Sequence, residues 1–340
     1  ARAGVPVRVA APGELEMSPR AHSSEWDWRR QHGVLYNESL LSWIKGTLWT
    51  GDPKYLTNAL SWLEFLEAHA KQPHGVIVAD ESYGWAGPNR GTETCTVAGD
   101  ILTYSTLISV MGEGRFGDHV ERSFFNAGAA CTSRDWMHHV YFQSPNRVSR
   151  NLPSYITGPG PQGGNYETKH WPLCCTAALT RILPSYIQFM WMKPREGGLA
   201  AALYGPCKLV TELGGKKVTI DSKTDYPFNE VIEMTVKPEK TFSFPLRLRL
   251  PVWCAKAELT LNGTVSLSPT FLADFFVYSD GLLFDGVQSY FASGATNDIM
   301  FTGINSTLPD SLVDLSKPVK EGVITKIKDR VCVNSTQVKE

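Results

Sequence analysis

From Val34 onward, apolar residues recur at helical spacing. Leu35, Leu40, Leu41, Ile44 and Leu48 fall near a 3.6-residue period, and Gly51-Asp52 closes the segment. Asp52-Pro53 predicts a fresh start, because Asp caps the free N–H groups of a helix and Pro suits its first position. Leu56, Leu60, Leu63 and Leu66 then line one face up to His69, and Pro73-His74-Gly75 ends it. Gly75 to Thr94 is a Gly-rich loop carrying Asp80-Glu81, the kind of segment that presents functional groups. Ile101, Leu102, Tyr104, Leu107, Ile108 and Met111 predict a largely buried helix. Phe116 to Ala127 predicts another, with Val120, Phe124 and Ala127 on one stripe. Trp136 to Val148 is aromatic, and extended or irregular. Asn151 to Lys169 has no period and reads as a long ordered loop or lid. A last helix starts at Cys174-Cys175, with Ala178, Ile182 and Tyr186 on one stripe and a kink at Pro184.

After Gly197-Gly198 the period changes from 3.6 to 2. Ile232, Met234 and Val236 alternate with polar neighbours, as do Phe242, Phe244, Leu246, Leu248 and Leu250, whose partners Arg247 and Arg249 fall on the wet face. Leu261-Asn262-Gly263-Thr264 reads as a hairpin turn. The resulting division is an irregular arm over 1–30, a helical domain over 31–196, an antiparallel β-sandwich over 197–264 and an unassigned divergent tail over 265–340.

Composition narrows the function. The 340 residues are 42% hydrophobic and 20% charged, ordinary for a globular chain, and 33 basic against 34 acidic residues leave a net charge of -1. No global field recommends a nucleic-acid or anionic-membrane partner, and no basic stripe accompanies the cysteines. No apolar run of membrane-spanning length is evident, and no signal-peptide pattern opens the chain. The abundant Trp and Tyr suit stacking on sugars as well as ordinary packing. Asn-x-Ser/Thr sequons occur at Asn37, Asn262, Asn305 and Asn334; the first lies in a predicted helix and the second in a tight turn, so chance explains both. The compartment stays open, since a thiolate site tolerates a reducing cytosol whereas polysaccharide hydrolases are often exported.

The chemistry concentrates in Arg90-Gly-Thr-Glu93-Thr-Cys95 and the distant pair Cys174-Cys175. Glu93 and Cys95 at i and i+2 share a face of an extended segment. Neighbouring cysteines pair with each other only in a strained ring, so a shared metal explains Cys174-Cys175 better than a disulfide. One acid and three sulfurs match the ligand number of a tetrahedral zinc. The competing reading, buried apolar thiols with an unrelated surface Glu, stays open at this level.

These residues carry a resemblance. His32-Gly33-Val34, Thr50-Gly51-Asp52, Asp80-Glu81, Arg90 to Cys95, Glu121-Arg122, Asn126-Ala127 and Cys174-Cys175-Thr176-Ala177 recur in this order in glycoside hydrolase family 127, the β-L-arabinofuranosidase family. The stretch from Gly198 to Pro206, the run Leu248 to Trp253, and Leu261-Asn262-Gly263 resemble that family's β-domain. The resemblance implies an (α/α)6-type barrel followed by an antiparallel β-sandwich. Only thirty-one residues precede His32 here, so the expected barrel is partial, an open arc of helices with an exposed apolar patch.

The resemblance also implies roles. Cys174 is the nucleophile and Glu81 the acid/base of retaining cleavage. Glu93, Cys95, Cys174 and Cys175 hold zinc, which keeps the nucleophile a thiolate. His32, Tyr141 and Gln143 line the sugar subsite, and an arabinose-containing glycan is the partner. Asp80 or Glu93 would help Glu81 keep its proton. His69, His74, His138, His139 and His170 lack metal-ligand spacing. The alternative of another class is a non-catalytic, zinc-stapled scaffold.

Overall fold

The computed structural model describes residues 32–87, 90–145, 164–171, 173–254, 256–262, 264–265, 288–291 and 297–304. Helix α1 (Gly33–Thr50) starts at His32, whose Nδ1 accepts the Val34 N–H at 3.2 Å. It ends at Gly51, where a φ of 74° lets the chain leave the helix at little cost. Its buried face is Tyr36, Leu40, Trp43 and Ile44, while Leu35 and Leu48 are exposed. The expected leucine stripe was therefore rotated, because the two rings bury more apolar area than the leucines they displace. Helix α2 (Pro53–His69) is capped as the sequence predicts, Asp52 accepting the Lys54 N–H at 2.9 Å.

Helix α3 (Thr94–Met111) begins a full turn or more before the expected position and is buried on nearly every side. It is long and apolar enough to cross a membrane by length and composition alone, although threonines interrupt its apolar run. Here it is the central helix, packed against α1, against α4 (Gly114–Arg122) and against α5 (Cys174–Gln188), while α2 packs on α1. The helix expected over Phe116–Ala127 is not uniform: α4 gives way to a π-helical stretch at Ser123–Gly128 and a 3-10 turn at Ala129–Cys131. That wider turn stacks Phe124 on Tyr186 at 4.0 Å and sets Phe125 edge-on to Tyr226 at 5.7 Å. Helix α5 buries Ala178, Ile182 and Tyr186, as its spacing predicts. These five α-helices are too few for a barrel of six helix pairs among the described residues.

A small sheet sits beside the helices: β1 (Ala79–Asp80), β2 (Ser82–Tyr83), β3 (Thr92–Glu93) and β4 (Phe142–Gln143), in the order β2-β1-β3-β4. Strands this short escape any period-based reading.

Beyond the helices lie two larger sheets. One orders β13 (Gln288–Phe291), β10 (Phe242–Leu248), β6 (Leu199–Ala201) and β5 (Trp191–Met192). The other orders β12 (Thr264–Val265), β11 (Lys256–Leu261), β14 (Asn297–Ile304), β9 (Val231–Pro238), β8 (Lys216–Lys223) and β7 (Cys207–Leu213). Leu199, Phe244, Leu246 and Leu248 from the first join Val218, Ile220, Ile232, Met234, Val236 and Leu259 from the second in one apolar cluster. The antiparallel expectation needs one correction, since β6 and β10 run parallel. The unassigned tail also contributes, because β14 is inserted between β11 and β9 and β13 extends β10. Asn262 adopts a left-handed φ of 50° between paired Leu261 and Thr264, as a tight turn requires.

Arg249 was expected on the wet face and is instead fully buried. Its guanidinium pairs with Asp118 and Glu121 of α4, and its Nε donates to the Ala202 carbonyl at 2.6 Å. Glu121 also accepts the Tyr204 N–H at 2.9 Å and the Tyr226 hydroxyl at 2.5 Å. The helical part therefore covers the face that an isolated strand would turn to water. Gly117 makes the approach possible, since a Cβ there would lie 2.6 Å from Arg249 Cδ.

Candidate functional site

Two helix starts and the small sheet converge on one cluster. Glu93 ends β3 and is the N-cap residue of α3, Cys95 lies in the first turn of α3, and Cys174 and Cys175 open α5. The segment is pinned by Thr94, whose N–H donates to the Tyr141 carbonyl at 2.9 Å and whose hydroxyl donates to the Val140 carbonyl at 2.7 Å. The Glu93 side chain makes no cap hydrogen bond and turns instead to the sulfurs. Its Oε1 is 3.3 Å from Cys175 Sγ and 3.6 Å from Cys174 Sγ, while Cys95 Sγ is 3.4 Å from Cys175 Sγ. All four ligand atoms lie within 4.8 Å of one another. Glu93, Cys95 and Cys175 are buried and Cys174 is exposed, so one sulfur faces solvent.

This cluster could hold a metal ion, and its electrostatics fit one. Glu93 Oε2 is buried with no hydrogen-bond partner among the described residues. Burial pushes the Glu93 carboxyl up, with Glu81 adding to the shift, and burial likewise pushes up the thiols of Cys174 and Cys175. Three such groups side by side ionise together only if a cation compensates them. Two N-terminal helix ends supply a part of that compensation.

A second set of side chains meets the exposed sulfur. Glu81 holds a left-handed φ of 75°, uncommon for a residue with a Cβ, and its carbonyl accepts the Gly33 N–H at 2.8 Å. Its Oε2 is 3.1 Å from His32 Nε2 and its Oε1 accepts the Tyr141 hydroxyl at 3.0 Å. Since His32 Nδ1 accepts from Val34, the ring proton sits on Nε2 and points at Glu81. The same Tyr141 hydroxyl is 3.4 Å from Cys174 Sγ, so one oxygen links Glu81 to the exposed sulfur. His32 Nε2 is also 3.9 Å from Glu93 Oε2, which joins the two sets. Gly33 explains the His-Gly-Val sequence physically: a Cβ there would stand 2.3 Å from Ala79 Cβ, and α1 could not start close enough to place His32.

Of the residues singled out from the sequence, Glu93, Cys95, Cys174, Cys175, Glu81, His32 and Tyr141 are brought together, and Gln143 is not. Gln143 is buried on the neighbouring strand, where its side-chain amide donates to the Ala127 carbonyl at 2.8 Å and to Cys131 Sγ at 3.2 Å. Asp80 does not assist Glu81 either: its carboxylate is taken by Arg90 from two sides, Nε at 2.7 Å. Arg90 was passed over as a site residue, although it opens the Arg-Gly-Thr-Glu motif. It clamps the loop that carries Glu81, and a Cβ on Gly84 would collide with its guanidinium. His139 and His170 lie near α5, yet His139 Nε2 meets the Thr176 hydroxyl at 3.1 Å and His170 Nε2 donates to the His139 carbonyl at 2.9 Å, leaving neither among the ligands. Asn37 is buried, its amide donating to the Thr96 carbonyl at 3.2 Å, which agrees with reading its sequon as chance.

Known proteins are similar to this chain in sequence and fold. Residues 198–277 fit the family model described as the middle domain of GH127 beta-L-arabinofuranosidase. The non-reducing end beta-L-arabinofuranosidase of Bifidobacterium longum is 23% identical over 192 residues, which cover 55% of this chain and 28% of that enzyme. The crystal structure of a GH127 beta-L-arabinofuranosidase from Geobacillus stearothermophilus T6 superposes with a TM-score of 0.67 at 19% identity, over 87% of this chain and 46% of that one. A solved glycoside hydrolase gives 0.67 at 20% identity, over 85% and 50%. The chain thus spans about half the length of its solved relatives and less of the curated one. With the motif order and the clustered side chains, these matches make the chain similar to glycoside hydrolase family 127, the β-L-arabinofuranosidase family, over the part of that fold it spans.

Proposed function

We propose that this chain carries the reaction centre of a retaining, β-L-arabinofuranosidase-like glycoside hydrolase, with Cys174 as nucleophile and Glu81 as acid/base. The observation that carries this reading is the Tyr141 hydroxyl, 3.0 Å from Glu81 Oε1 and 3.4 Å from Cys174 Sγ. It holds proton donor and sulfur no farther apart than two hydrogen bonds end to end. That is close to the roughly 5–5.5 Å used by carboxylate pairs that act from opposite sides of one anomeric carbon. The exposure of Cys174 beside three buried ligands supports its selection as the attacking sulfur.

Glu93, Cys95, Cys174 and Cys175 would hold zinc, whose chemical contribution is to keep the sulfur ionised near neutral pH. The sulfur of Cys174 attacks the anomeric carbon while the bond to the leaving oxygen breaks, and that oxygen takes the proton of Glu81. Glu81, now a carboxylate, removes a proton from water, whose oxygen attacks the same carbon as the carbon–sulfur bond breaks and returns its electron pair to Cys174. His32 and Tyr141 hold the two oxygens of Glu81 and face the sugar. An arabinose-containing glycan is the substrate, by the named activity of the relatives. The boundary between a helical domain over 31–196 and a β-sandwich over 197–264 is supported by the family match that begins at residue 198.

The test is hydrolysis of a chromogenic β-L-arabinofuranoside, with zinc measured on the same sample. Cys174→Ser should abolish turnover. Glu81→Gln should slow poor leaving groups far more than nitrophenolate, which needs no proton. Equal losses on both leaving groups would remove Glu81 from the acid role. A wild-type chain that binds zinc but turns over nothing would be the zinc-stapled scaffold instead.

A further inference from the structure

Two tryptophans stand out to solvent on the segments flanking the start of α5. Trp171 is 81% exposed and lies three residues before Cys174; Trp136 is 69% exposed at the tip of the 132–139 turn. Both segments are tied to the reaction centre. His139, at the base of the turn, touches the Thr176 hydroxyl in the first turn of α5 at 3.1 Å, and its carbonyl accepts from His170 at 2.9 Å. The His170 ring in turn meets Tyr141 at 6.1 Å. Three residues of chain span at most about 11 Å, so neither indole is far from that first turn.

Trp136 is also held in a conformation that bulky side chains avoid, with φ 62°. The tip is fixed by polar contacts. Asp135 Oδ1 accepts the Ser133 hydroxyl at 2.6 Å and the Met137 N–H at 3.1 Å, and the Trp136 N–H donates to the Ser133 carbonyl at 2.9 Å. Neither the strain nor the exposure stabilises the fold, and together they present a flat apolar ring to solvent on a turn whose base touches the first turn of α5.

Resting on the functional reading above, we propose that Trp136 and Trp171 receive the leaving-group side of the glycan, stacking on the C–H face of the sugar ring next to the cleaved bond. Glu81 and Cys174 would act on one anomeric carbon, so the rest of the substrate extends beyond them. Uncharged aromatic faces there suit a neutral ring rather than an anion.

The experiment compares wild type, Trp136→Ala, Trp171→Ala and the double variant on two substrates, methyl β-L-arabinofuranoside and an arabinofuranosyl disaccharide. In each variant the loss of kcat/KM should be at least about tenfold greater for the disaccharide than for the methyl glycoside. Equal losses on the two substrates, or no loss on the disaccharide, would overturn the proposal. Should wild type hydrolyse neither, the functional reading fails on its own, and the surface is then read by binding. A tryptophan fluorescence shift on adding the disaccharide to wild type, weakened in the double variant, sustains the surface; no shift in wild type refutes it.

Discussion

The sulfurs of Cys95 and Cys175 stand 3.4 Å apart although eighty positions separate the residues in the chain. They are brought together because α3 packs along α5 and both helices begin at the same end. Cys95, Cys175 and Glu93 are all buried there, so the cluster joins two segments that helix packing also holds together.

If the cluster holds zinc, purified protein should contain about one ion per chain, and chelation should lower the melting temperature by several degrees. Cys175→Ala should lose most of the metal while Cys131→Ala, buried outside the cluster, should keep it. Metal analysis showing equal zinc in wild type and Cys175→Ala would remove Cys175 from the ligand set.

Tyr141→Phe deletes the one hydroxyl shared by Glu81 and Cys174 without touching Glu93 or Cys95. Turnover should fall roughly 10- to 100-fold, in the range of losing one positioned donor, with zinc content unchanged. A parallel loss of zinc would mean that the residue supports the ligands instead.

Arg249→Met should cost about 3–5 kcal/mol in urea unfolding, because buried Glu121 and partly buried Asp118 are left without their cation. Burial already pushes Asp118 up to about 6, against the pull of Arg249. A carboxyl raised in the folded state is best tolerated at low pH, where it is protonated. The penalty of the variant should therefore grow as pH rises from 4 to 8. A loss under about 1 kcal/mol would show that the helical and β parts do not depend on this pair.

His74 reports acid sensitivity. Burial, assisted by the charge of Arg122, lowers its pKa from 6.5 to about 4. A base depressed in the folded state contributes stability above its unfolded value and loses it as pH falls toward the folded one. About 3 kcal/mol should disappear between pH 6.5 and 4. His74→Asn, which keeps an acceptor for the Val76 N–H, should flatten that part of the profile. An unchanged slope in the variant would assign the acid loss to other groups.

Local rules written in the sequence settled several elements without help. Asp52-Pro53 starts α2 and Gly51 ends α1, since capping and left-handed turns depend on a few neighbouring atoms. The stripe Ala178, Ile182 and Tyr186 and the alternation Ile232, Met234 and Val236 were equally legible, because a single buried face imposes its period on the chain. The motif Glu93-Thr-Cys95 with Cys174-Cys175 named the four side chains whose potential ligand atoms lie within 4.8 Å of one another. Tertiary structure alone decided the rest. Arg249 reads as a solvent-facing residue until α4 brings Asp118 and Glu121 onto the same face. Strands β13 and β14 form where a weakly patterned tail finds open edges on β10, β9 and β11, and pairing with existing strands needs no strong pattern of its own. The same holds for Tyr141, whose hydroxyl acquires its two partners only when loops distant in sequence are packed together, and for Gln143, held in the core by the Ala127 carbonyl and Cys131 Sγ. Periodicity and capping are properties of neighbouring residues, whereas a site is a meeting of distant ones, which depends on how whole elements pack.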